Sequence, residues 1–206
     1  MKTIENIRSV EDYFEWRKNS KRQTVEKCNE SLTQKLAWEK TDVLYSFLEI
    51  YLIGVRALYP DCFKTTTYQI RQENNNANAY SFKYLSENYN KFTDVNELDE
   101  LKSFLKVYAS IGNVIPVWPG ANRDKGMSQC FDIPEIYFSK YPLASKVLSR
   151  VYQNAYMESI IRNEREIVLS DLLRMDGKAS YKEFLKYIKE TIDSRTERIH
   201  RWLNSN

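Results

Sequence analysis

Glycine and proline, the residues that most readily end a helix, are scarce in this chain and gathered in one place. Three of its five glycines and three of its five prolines lie between Ile111 and Pro134, in IGNVIPVWPGANRDKGMSQCFDIP. Outside that stretch, long polar-apolar segments offer little opposition to a helix. The distribution predicts a mainly α fold, a single-domain helical bundle over 1–206. It also predicts one ordered Gly/Pro-rich loop at 111–134 and at most a minor β element around 65–71 and 113–117. Shaped loops on rigid scaffolds are where binding and catalysis concentrate, so the same stretch is the first candidate site.

Composition narrows the class. With 206 residues the chain can bury one substantial core, and 42% hydrophobic against 29% charged residues excludes the disordered class. The formal charge of +3 neither demands nor excludes nucleic acid, so a basic surface would have to be local. Cys28, Cys62 and Cys130 are too far apart for a CxxC site and suggest free thiols in a reducing compartment. The polar start, MKTIENIRSVEDYFEW, has no apolar leader region. The most apolar segment, 43–59, is interrupted by Glu49 and Arg56 and falls short of the ~20 residues of a bilayer span. A cytoplasmic protein with no membrane contact is expected.

Local signals place the helices. Ser9 with Asp12 resembles a capping box opening a helix that carries Val10, Tyr13, Phe14 and Trp16. Arg17, Lys18, Lys21 and Arg22 then read as a solvated helix end, with a phosphate-binding patch as the alternative. A second helix should hold Leu32, Leu36 and Trp38, and Thr41 or Asp42 should cap an apolar helix over 43–59. QENNNANA, 72–79, reads as a flexible polar connection. A helix over about 95–109 follows from the spacing of Leu98, Leu101, Leu105 and Tyr108. Further helices are expected after Pro142, over 167–175 up to Asp176-Gly177, and at roughly 180–203.

The last helix carries an unusual residue. Leu185, Ile188, Ile192, Arg195, Ile199 and Trp202 follow spacings of 3, 4, 3, 4 and 3, which makes one continuous face with Arg195 inside its apolar stripe. A guanidinium there must be paired, because an isolated buried charge is very costly. Asp132 or Asp124 of the loop would serve structurally; an anionic ligand, held by the planar fork, is the functional reading.

Arg195 and His200 form Arg-x4-His, and His200 is the sole histidine of the chain. The spacing is similar to the motif of HEPN ribonucleases, all-helical proteins that pair as dimers to cleave RNA. That likeness implies Arg195 and His200 as catalytic residues acting on a scissile phosphate in a homodimer. Thr196 stands where that family usually has Asn, Asp or His, and five residues place the two side chains about 140° apart on a regular helix.

Within the loop, Asn113 and Asn122 can bond the backbone or orient a ligand, and Trp118 can anchor the loop or wall a site. Arg123, Asp124 and Lys125 supply both signs of charge. Ile111-Gly112-Asn113-Val114-Ile115-Pro116 followed by Asn122 resembles the "IGN…N" segment of the GmrSD-type His-Asn-His endonuclease domain. Ile192-Asp193-Ser194-Arg195-Thr196 with Trp202 resembles that domain's closing "I-x-x-R-T…W". A bacterial family of unknown function, noted near phage-defence genes, is similar over IGNVIPxWPGxN and the block from Cys130 to Phe138. His-Asn-His chemistry needs a histidine to activate water, and no histidine precedes His200. The positions carried over, Asn113, Asn122 and Arg195, are supporting ones.

No P-loop, GxGxxG, GxSxG or HExxH occurs, and neither a cofactor nor a metal is expected. The sequence therefore predicts a non-catalytic binding protein that uses the 111–134 loop, with nucleic acid or a partner protein as ligand, in a phage-defence setting. A nuclease, HEPN-like or a divergent His-Asn-His relative, is the first alternative. The second is a small-molecule or anion site under the loop, with Trp118 as wall and Arg195 as anchor.

Overall fold

A computed structural model describes residues 4–19, 25–36, 38, 40–60, 77–117 and 177–205. In chain order the helices are α1 (Val10–Asn19), α2 (Val25–Cys28), α3 (Glu30–Lys35), α4 (Phe47–Leu58), α5 (Ala77–Asn88), α6 (Thr93–Asn96), α7 (Asp99–Val107) and α8 (Gly177–Ser205). Two strands, β1 (Thr41–Val43) and β2 (Val114–Pro116), form a small antiparallel sheet. The fold is mainly α with a minor β element, as its sparse Gly and Pro predict. No described helix is long and apolar enough to cross a membrane.

The capping box forms as expected. The Asp12 amide donates to Ser9 Oγ at 3.1 Å, and Asp12 Oδ2 accepts from the Ser9 amide at 3.0 Å. Two otherwise orphaned donors at the helix start are thereby satisfied. Helix α1 then turns Val10, Tyr13, Phe14 and Trp16 into the core. Its rings meet those of α4 and α7: Tyr13 lies 4.0 Å from Phe47 between centroids, and Tyr13 meets Tyr108 edge-on at 5.8 Å. Phe47 stacks on Tyr51 at 5.4 Å, so an aromatic cluster binds the first helix to the apolar α4. Arg17 and Lys18 at its far end are exposed, while Lys21 and Arg22 lie outside the described residues.

Three local expectations are corrected. Helix α4 begins at Phe47 after an extended Ser46, and Thr41 and Asp42 belong to β1 instead of capping it. Pairing explains the difference: Thr41, Asp42 and Val43 lie opposite Pro116, Ile115 and Val114. The ladder is extended at both ends by Leu44 N to Asn113 O, 2.9 Å, and Val117 N to Lys40 O, 3.0 Å. Those two bonds make 44–113 and 40–117 hydrogen-bonded pairs. Alternation then leaves Pro116 at a non-bonded position, where its missing N–H costs nothing. The 113–117 element is thus a strand, and its partner is 41–43; the other expected strand, 65–71, lies outside the described residues.

The second correction concerns 77–79, which are the first residues of α5; 72–76, like the helices expected after Pro142 and over 167–175, lie outside the described residues. Alanines at 77 and 79 favour that start. Third, the helix expected over 95–109 is broken. Asn96 accepts the Tyr51 hydroxyl at 2.6 Å and donates to Tyr89 O at 2.8 Å, which fixes α6. Leu98 is then extended, and α7 starts at Asp99. Of the residues expected on a second helix, Leu32 lies in α3, whereas Leu36 caps its end and Trp38 is past it.

Helix α8 packs on α4, α7 and the turn at Ile111–Asn113. Gly177, which opens it, has φ 74°, in the left-handed region that favours glycine. The expected face is buried: Leu185, Ile188, Ile192 and Ile199 have no exposed surface, and Tyr181 extends it. A Cβ on Gly54 would fall 2.3 Å from Tyr181 Cζ, so α4 supplies a flat seat for that ring. The Tyr181 hydroxyl, donating to Ile50 O at 2.9 Å, holds it there.

An ion pair ties α8 to α7. Glu100 Oε1 lies 2.9 Å from Lys182 Nζ and 4.0 Å from Lys186 Nζ. Burial by itself raises the Glu100 carboxyl. The Lys182 hydrogen bond, a backbone hydrogen bond and the charges of Lys182 and Lys186 outweigh it, leaving the group below the usual carboxylate value. A lowered folded-state value stabilises the fold above the unfolded carboxylate range and is lost as pH falls through that lowered value. Since Lys182 is 38% exposed, the contribution is held to about 1 kcal/mol. Glu100→Gln is therefore expected to lower stability at pH 7 and to lose less on acidification than the parent chain. Urea titrations at pH 7 and pH 3 measure both; parallel losses for the two proteins would show that the pair carries no acid-range stability.

Candidate functional site

From Ile111 to Val117 every residue is buried, so the IGNVIPV segment is a stem within the fold and presents almost no surface. Its centre is Asn113, with no exposed area. Asn113 Oδ1 accepts the Tyr45 amide at 2.9 Å, while Nδ2 donates to Tyr45 O at 3.3 Å and Tyr108 O at 2.9 Å. One side-chain amide thus satisfies both backbone groups of Tyr45, at the junction of β1 and α4, and a carbonyl at the end of α7. Its own backbone N–H donates to Ser110 O and its carbonyl accepts from Leu44. Of the two roles open to Asn113 in the sequence, backbone bonding is the one found. Both side-chain donors are spent on the fold.

Gly112, immediately before it, seats the stem on α8. A Cβ here would lie 2.1 Å from Ile192 O and 2.8 Å from the Thr196 amide nitrogen, so only glycine allows this approach. The Gly112 amide donates to Thr196 Oγ1 at 3.1 Å, and that hydroxyl donates to Ile192 O at 2.8 Å. The expected meeting of loop and last helix is therefore real for 111–113, and it occurs one residue from Arg195.

Arg195 has no exposed surface and is the largest fully buried side chain among the described residues. Its place inside the apolar face agrees with the spacing argument. Asp124 and Asp132, the two carboxylates considered as its partners, lie outside the described residues, as do Trp118, Asn122 and Arg123. His200 is exposed. A buried guanidinium and an exposed imidazole about 140° apart around α8 do not converge on one phosphate within a protomer. Among the described residues no group of three or more His, Cys, Asp or Glu could hold a metal ion.

Sequence reasoning did not single out Tyr45, Tyr108 or Thr196 as part of this arrangement. Tyr45 and Tyr108 contribute backbone atoms, which carry no residue-type signal. Thr196 was visible, as a departure from the HEPN pattern and as a member of the I-x-x-R-T segment, but without a role; its hydroxyl is what receives the Gly112 amide. Compared with protein-family models, curated proteins and solved structures, the chain matches none of them.

Three substitutions probe this geometry. Gly112→Ala drives a methyl into backbone, and overpacking of this kind costs about 3 kcal/mol; denaturation midpoints unchanged within error would refute the close approach. Asn113→Ala leaves two carbonyls and an amide of the buried junction without their partner and is expected to cost on the order of 3 kcal/mol. Amide exchange at Tyr45 gives a local reading, since its N–H should lose protection beyond the global change. Arg195→Met separates the two readings of that residue: a lowered melting temperature, on the order of 3 kcal/mol of lost stability, marks a structural ion pair whose other charge is left uncompensated. A retained melting temperature together with lost ligand binding would instead assign Arg195 to a ligand.

Proposed function

We propose that this chain is a non-catalytic binding protein that shares a scaffold with the GmrSD-type endonuclease domain and uses the segment after Val117 to bind nucleic acid. One observation carries the reading. The two short segments that resemble that domain, Ile111-Gly112-Asn113 and Ile192 to Thr196, are in direct contact through Gly112, Ile192 O and Thr196 Oγ1. Segments 84 residues apart that resemble one domain and also interlock support a common scaffold over a coincidence of short motifs.

Two of the three residues that resemblance would carry over, Asn113 and Arg195, lie buried beside this junction. Asn113 spends its side-chain donors on backbone, and Arg195 is enclosed. The sequence beyond the stem, with Trp118, Asn122, Arg123 and Lys125, has the aromatic, amide and cationic groups that engage bases and phosphates. A stem held from three sides gives such a segment a fixed point of departure, which lowers the ordering cost of binding. The phage-defence setting of the similar bacterial family accords with a nucleic-acid ligand.

Fluorescence anisotropy with labelled single-stranded RNA and DNA tests the proposal. Binding should be detectable at low salt and weaken roughly tenfold or more between 50 and 200 mM salt, as phosphate contacts require. Arg123→Ala should weaken it without changing the melting temperature. Absence of binding to either polymer at low salt would sink the nucleic-acid reading. Cleavage of either polymer, with or without a divalent metal, would overturn the non-catalytic one, and loss of that cleavage in His200→Ala would point to the HEPN-like alternative.

A further inference from the structure

We draw no further inference here: the strongest candidate, the row of Lys178, Lys182, Lys186 and Lys189 along the outer side of α8, is interleaved with Glu183, Glu190 and Asp193 and partly tied to Glu100, and nothing in the structure shows what covers it.

Discussion

The side-chain amide of Asn113 is the interaction on which the described fold depends most. It stands where β1 runs into α4, where α7 ends and where β2 begins, and it supplies hydrogen bonds that no regular element provides there. Backbone groups buried without partners are expensive, and this junction would otherwise contain three of them. An amide suits the position because it presents an acceptor and two donors in one plane, as a peptide group does. Fixing Asn113 also fixes the neighbouring Gly112, whose bare backbone then meets α8. Sheet, helix end and last helix are thus brought into register through two adjacent residues.

That arrangement divides the Gly/Pro-rich stretch into two parts with different physical character. The first, Ile111 to Val117, is buried and hydrogen-bonded, and belongs to the core as fully as any helix. The second, from Trp118 onward, contributes charges of both signs, amides and an indole. The buried Arg195 sits one residue from the Thr196 contact, so the one charge within the α8 apolar face lies close to the point where the stem is held. A site built on that stem would inherit its position from the core.

How much of this was legible in the sequence depended on how local each cause is. The α8 face was readable because its apolar period repeats over many turns, and even the buried Arg195 was marked by that period. Ser9 and Asp12 were readable because both partners of the capping box lie within three residues. Strand β1 was not, since Thr41–Val43 becomes a strand by pairing with Val114–Pro116, far along the chain. Helix α5 was missed for another reason: Tyr80, Phe82 and Tyr84 alternate with polar residues, a period that suits a strand as well as a helix. For the candidate site, composition located the stretch, but the role of Asn113 rests on the backbone of Tyr45 and Tyr108, whose nearness only the fold creates.

The contacts of α8 also carry a kinetic consequence. Tyr181 reaches back 131 residues to Ile50, and Thr196 reaches back 84 to Gly112. Closing such loops costs entropy before any packing offsets it, which slows folding relative to a bundle of neighbouring helices. During synthesis α4, α7 and the Asn113 junction emerge long before the helix that covers them. Until α8 arrives, the seat at Gly54 and the backbone at Gly112 lack the contacts that Tyr181 and Thr196 supply. A fold whose described part is mostly local helices is therefore completed by contacts of long range.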